Sequence, residues 1–186
     1  MQTLETDIDQ EMKKYIIITA ISLISTATFG QSNDLFNTIR EELFYTEFDL
    51  EKCVAFHEKL TLLERANPTI IAYEAAAKAL IAKHSWNPFT KIGSLKEALQ
   101  LLDDAIQSDQ VNPEIRFIRL YIENNTPNYL GMNKNMTTDK EVILKSLKDI
   151  TLLGLNPSII SYIKDYMSNS AICTTEELHD LKATVL

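Results

Sequence analysis

Apolar positions along the chain recur at helical spacing in segments separated by short polar breaks, and the arrangement repeats. Three segments of equal length, KCVAFHEKLTLLERANP, EALQLLDDAIQSDQVNP and EVILKSLKDITLLGLNP, begin at positions 52, 97 and 141, so 45 and then 44 residues separate them. In this alignment Cys53, Ala98 and Val142 share a column, as do Val54, Leu99 and Ile143, and then Thr61, Ile106 and Ile150. The segments behind them, TIIAYEAAAKALIAK, EIRFIRLYIENNTPN and SIISYIKDYMSNSAI, bring Ile70, Ile115 and Ile159 together, and Tyr73, Ile118 and Tyr162 form a second apolar column. Each copy therefore predicts two helices, and the whole chain an all-α fold of helical hairpin repeats with about seven or eight helices, each pair burying its apolar side against the next.

The joint inside each copy is Asn-Pro. Asn67-Pro68, Asn112-Pro113 and Asn156-Pro157 recur with the repeat, and Asn87-Pro88 is a fourth instance, using four of the five prolines. Proline disfavours the helical region for the residue before it, which is the conformation an N-cap requires. At the first helical position its missing N–H has no intrahelical partner to lose. Helices are thus predicted to start at Pro68, Pro113 and Pro157, with Asn87-Pro88 a local cap outside the repeat.

The junction SLKEALQLLDDAIQSDQVNPEIRFIRLYI resembles the second helix of a tetratricopeptide repeat running into the first helix of the next, with Ala98 and Ala105 at the small positions where helices approach closely. The likeness covers roughly Leu50 to Asn169. It is degenerate: the period is 44 to 45 residues where the family has about 34. Pro113 comes late, and the family's Trp-Leu-Gly-Tyr pattern is missing. The resemblance implies a tetratricopeptide-like α–α superhelix that binds proteins or peptides. The stretch IRFIRLYIENNTPNYLGMNKNMTTDKE also resembles helical-repeat proteins exported by Bacteroidetes, which implies no activity.

Ahead of the repeats, MKKYIIITAISLISTATFGQS reads as a secretory signal peptide, with Lys13 and Lys14 before an apolar run from Tyr15 to Ile24 and small residues at Thr28 and Gly30. Residues 1–30 are expected to be leader and signal, with cleavage near Gly30/Gln31 and translation starting at Met1 or Met12. Residues 31–186 are then one periplasmic or secreted domain, and a membrane association would come only through an uncleaved signal. A length of 186 residues with 45% hydrophobic content suffices for one core. The net charge of −8, with no Lys/Arg cluster, argues against nucleic-acid binding, which needs a basic face.

Chemistry is sparse. His57, His84 and His179 have no metal-ligand spacing, and no phosphate loop or nucleophile elbow occurs, so no cofactor or metal is expected. His57 is read as a packing histidine, and the neighbours Asp103 and Asp104 as a solvated face. Cys53 and Cys173 allow either one disulfide in an exported protein or buried free thiols. Arg116 and Arg119, at i, i+3, are candidate receivers of a peptide carboxylate, with Tyr73 and Tyr162 nearby in adjacent repeats. The alternative is a surface pair of Arg119 with Glu123. The extra length of the repeats falls in KHSWNPFTKIGS and ENNTPNYLGMNKNMTT, read as loops. Their aromatics Trp86, Phe89 and Tyr129 are expected to plug the loops onto the core, the other reading being a binding edge. The function expected is a non-enzymatic module or scaffold for a protein or peptide partner. The alternative is a small-ligand carrier or helical enzyme with a pocket between repeats and inserted loops.

Overall fold

The computed structural model describes residues 34–63, 66–148 and 155–183. The leader and signal peptide expected over 1–30 lie outside the described residues. Eight α-helices, one short 3-10 helix and no strand occur among the described residues, the all-α class that the apolar spacing predicts. The chain divides into two compact units, residues 1–45 and 46–186. In the first, the described residues belong to helix α1 (34–46), which buries Ile39 and lays the Arg40 guanidinium over the Phe36 ring, 5.7 Å from its centroid.

The second unit holds α2 (Leu50–Thr61), α3 (Pro68–His84), α4 (Pro88–Ser108), α5 (Pro113–Asn124), the 3-10 turn (Asn128–Leu130), α6 (Met136–Leu147), α7 (Pro157–Asn169) and α8 (Thr175–Ala183). All four Asn-Pro pairs open helices. Asn67 accepts from the Thr69 N–H, Asn87 from Phe89 and Thr90, Asn112 from Glu114 and Ile115, and Asn156 from Ser158, each proline standing at the start of its helix. An extended asparagine with its side chain turned onto the first amides satisfies donors that the helix cannot. One stretch read as a loop is therefore helical: from Pro88 to Ser94 the chain adds about two turns to the front of α4.

Helix α5 packs beside both α3 and α7. The Asn112 amide lies 3.5 Å from the Thr69 hydroxyl, and the Tyr73 hydroxyl donates to Glu114 Oε1 at 2.6 Å, joining the first turns of α3 and α5. Phe117 meets the rings of Tyr162 and Tyr166 edge-on, and the Asn124 amide donates to the Tyr166 hydroxyl at 2.9 Å, joining α5 to α7. Ala98 and Ala105 on α4 are fully buried, as close helix approach requires.

Burial corrects the register of the third copy. Ile70, Ile115 and Ile160 are buried, and so are Tyr73, Ile118 and Ile163, which holds a spacing of 45 residues throughout. The Asn-Pro pair comes one residue early, at a spacing of 44, so an alignment anchored on it selects Ile159 and Tyr162 instead. The partner helix shifts alike, with Ile143 and not Val142 filling the position of Ala98. The cap answers only to the first turn of its helix, whereas burial answers to the neighbouring helices.

At the C-terminal end Phe117, Leu120, Ile143, Leu147, Ile160, Ile163, Met167 and Leu181 form one cluster. Helix α8 closes it, tied to α6 by Lys140–Glu177 at 2.9 Å and Lys148–Asp180 at 3.0 Å. Its start is a capping box: Glu177 N–H donates to Thr174 Oγ1, and Thr174 N–H donates back to Glu177 Oε2 at 2.7 Å. That amide, with Lys140 beside it, holds the Glu177 carboxyl below the usual carboxylate range.

Candidate functional site

The residues proposed for a peptide-binding face divide into an interior group and an exposed group. Arg116 and Arg119 are buried. The carboxylate they receive is the chain's own Asp139, which is fully buried at the start of α6. Arg119 donates from Nε and Nη2 to the two oxygens of Asp139, each at 2.7 Å, and from Nη1 to Asp103 at 2.5 Å. Arg116 donates from Nη1 to Asp139 at 2.9 Å, and from Nε and Nη2 to the Gln110 carbonyl. Burial is the largest single influence on the Arg119 pKa and would favour loss of the proton, but the hydrogen bonds and charges of Asp139 and Asp103 together outweigh it and raise the pKa above its usual value. No donor fork is left for a peptide, and Asp103 belongs to this ion cluster although its own side chain is half exposed.

The surface pair of Arg119 with Glu123 is likewise absent. Glu123 is buried and accepts from the Asn135 N–H and side-chain amide, both at 2.8 Å. Tyr73 is buried against Glu114, while Tyr162 is 37% exposed beside Phe117. Burial, followed by Glu47 and the Tyr166 ring, raises the Tyr162 pKa. Tyr73 and Tyr162 therefore do not share an open wall with the arginines.

The two cysteines stand as free thiols. Cys53 faces the core of α2 and donates from Sγ to the Thr46 carbonyl at 3.0 Å; Cys173 packs half-buried on the C-terminal cluster. Burial first, with Asp49 beside Cys53 and Glu177 beside Cys173, pushes both thiols up in pKa, opposite to what a nucleophile needs. His57 sits half-buried with Nε2 at 4.0 Å from Glu74 Oε1, in keeping with a packing histidine. Among the described residues no group of three or more His, Cys, Asp or Glu is placed to hold a metal ion.

The loop aromatics do the reverse of plugging. Trp86 is 100% exposed, Phe89 84% and Tyr129 86%. What anchors the segments is polar. After α5, the Asn133 amide donates to the carbonyls of Glu123 and Thr126, Asn135 holds the Glu123 carboxylate, and Gly131 turns the chain at φ 63°. After α3, Lys83 pairs with Glu47 at 3.1 Å, and His84 Nε2 lies 2.8 Å from the Glu47 carbonyl. That contact brings a third aromatic, Phe48, 83% exposed, to the same end as Trp86 and Phe89. Sequence reasoning passed over Phe48; an aromatic in a three-residue break just before the Asp49 N-cap of α2 was the available sign.

A shallow cleft between α6 and α8 is lined by Leu144, Leu147, Lys148, Glu177, Asp180 and Leu181. Its polar groups are already paired across it. No helix among the described residues is long and apolar enough to cross a membrane. No family model, curated protein or solved structure matches this chain.

Proposed function

We propose that the protein is an exported, non-enzymatic helical-repeat module, a degenerate tetratricopeptide-like superhelix, that binds another protein or peptide through the aromatic end formed by Phe48, Trp86 and Phe89. The observation that carries the reading is the full exposure of Trp86 on a segment whose position is fixed by other side chains: the Asn87 cap, the Lys83–Glu47 pair and the His84–Glu47 contact. Large aromatics held out in water on a stiff support are a recognition arrangement, since they bury much area at little further ordering cost.

Export rests on the signal-like N-terminus, and intact-mass measurement of the native protein checks it: a chain beginning near Gln31 is expected, and retention of residues 1–30 contradicts it. The binding site is tested by comparing partners captured from the cell envelope by the unmodified protein and by a Trp86→Ala/Phe89→Ala variant of unchanged far-ultraviolet dichroism. Partners absent from the variant's capture support the reading. Identical capture removes it.

A further inference from the structure

Helix α8 is joined to the fold differently from its neighbours. It has nine residues, fewer than the roughly 12–15 that an isolated helix needs to persist in water. Among its described side chains only Leu181 is buried, whereas α7 buries Ile160, Ile163 and Met167. Its seam with α6 is the shallow cleft that Leu144, Leu147 and Leu181 line, so apolar packing there is incomplete. A segment with so little buried apolar area opens before the fold as a whole does.

Polar contacts make up the difference, and they converge on one carboxylate. Glu177 accepts from the Thr174 N–H at 2.7 Å, which caps the helix start, and from Lys140 Nζ at 2.9 Å, which ties the helix to α6. The same ammonium lies 3.4 Å from the Ile172 carbonyl and so also holds the connection from α7. The other tie, Lys148–Asp180, joins two exposed side chains, where an ion pair contributes little. Within the connection Ala171 stands in left-handed backbone, a strained state that persists only while surrounding contacts impose it.

We infer that α8 is a latched strap, which opens as one unit about the 170–174 connection and has the Lys140–Glu177 pair as its latch. Closed, it covers the C-terminal cluster. Open, it uncovers the seat of Leu181 and frees the Cys173 thiol, which packs half-buried on the same cluster. Because Glu177 is both cap and tie, loss of its charge weakens the helix start and its anchorage together. Fraying from the chain end would instead leave Ile172, Cys173 and the Lys140 tie in place.

Cys173 reports this motion, and Cys53, buried in α2, reports opening of the whole fold. The experiment follows labelling of both thiols by N-ethylmaleimide in the full-length protein and in its Lys140→Gln and Glu177→Gln variants. The direct effects of the two charges on the thiol are opposite, since Lys140 lowers the Cys173 pKa and Glu177 raises it. In a strap that stays shut, Lys140→Gln therefore slows labelling and Glu177→Gln speeds it. Opening on a shared latch has both variants speed Cys173 labelling about ten-fold with Cys53 unchanged, and has rising salt speed it in the unmodified protein. Hydrogen exchange of the α8 amides should accelerate about as much in both variants, while the α5 amides hold. Slower Cys173 labelling in Lys140→Gln, one common rate for the two thiols, or unchanged α8 exchange in either variant overturns the proposal. If neither variant folds, the salt response of the unmodified protein decides, and a Cys173 rate indifferent to salt overturns it.

Discussion

Arg119 and Asp139 meet in a two-pronged contact, with Nε and Nη2 each 2.7 Å from a separate carboxylate oxygen, and both side chains are buried. The pair bolts α5 to the first turn of α6. The planar guanidinium matches the carboxylate in a way an ammonium does not. Asp139 is also well placed for the dipole of its own helix, since its N–H bonds back to Asn135 O within the first turn.

Removal of one partner leaves a buried charge uncompensated. Asp139→Ala is expected to destabilise the protein by about 3–5 kcal/mol, measured as a shift in the denaturant midpoint. Arg119→Lys keeps the charge but loses the fork, and should fall between that variant and the unmodified protein. Asp103→Asn, at a half-exposed position, should cost under about 1 kcal/mol. A loss as small for Asp139→Ala as for Asp103→Asn would mean that the cluster does not hold the helices together.

The four Asn-Pro caps give a graded series. Each Asn→Ala change should cost roughly 0.5–2 kcal/mol. Asn112 should stand at the upper end: its oxygen accepts from Glu114 and Ile115, while its amide donates to Asp109 Oδ2 at 3.0 Å and reaches Thr69 on α3. Asn67, which accepts from the Thr69 N–H alone in its cap, should stand below it. Equal losses at the two positions, read from thermal midpoints, would show that the contact between α3 and α5 contributes nothing beyond capping.

These caps were legible because capping is local: an asparagine and the proline behind it fix a helix start whatever surrounds them. The ion cluster was not, because i, i+3 spacing of Arg116 and Arg119 reads equally as a solvated face. On the 12-residue α5, Arg116, Arg119 and Glu123 share one stripe of an otherwise apolar helix, and nothing local in the sequence tells a buried charged stripe from a solvated one. The partner itself, Asp139, lies 20 residues on from Arg119 across an irregular connection and has no local signature. For the aromatics, the stretches around Trp86 and Tyr129 were legible as insertions. That asparagines and a helix cap anchor them, freeing the rings, depends on tertiary contacts such as Asn135 with Glu123.

Among the described residues two occupy left-handed backbone, Gly131 at φ 63° and Ala171 at φ 56°. Glycine bears this conformation without strain, while a Cβ costs roughly 1–2 kcal/mol. Gly131→Ala meets no atom within 4 Å, so its loss should be this backbone term alone. Ala171, after the end of α7, already carries the strain, and Ala171→Gly should raise stability by about 0.5–1 kcal/mol, since the glycine's greater freedom in the unfolded chain offsets part of the relief. Opposite signs for the two exchanges are the expected outcome; a destabilised Ala171→Gly would refute the account.

Alkali should find a weak point at Tyr121. Its hydroxyl is pushed up to about 12, first by burial, then by the negative charge of Glu47, and then by charge repulsion from the neighbouring Tyr162 and Tyr166 hydroxyls as they ionise. The folded state therefore holds this proton where the unfolded chain, with a tyrosine pKa of about 10, has released it. A raised folded value stabilises fully below the unfolded pKa, and the contribution drains away as pH rises towards the folded one. Tyr162, also raised, acts in the same direction. Stability should thus hold level up to about pH 10 and fall between about pH 10 and 12, with ring ionisation at 295 nm lagging until the protein opens. Tyr121→Phe keeps the ring contact with Tyr166, 5.0 Å between centroids, and removes the proton. The fall in that window should be visibly shallower in the variant. An identical alkaline profile in the two proteins would place the titrating group elsewhere.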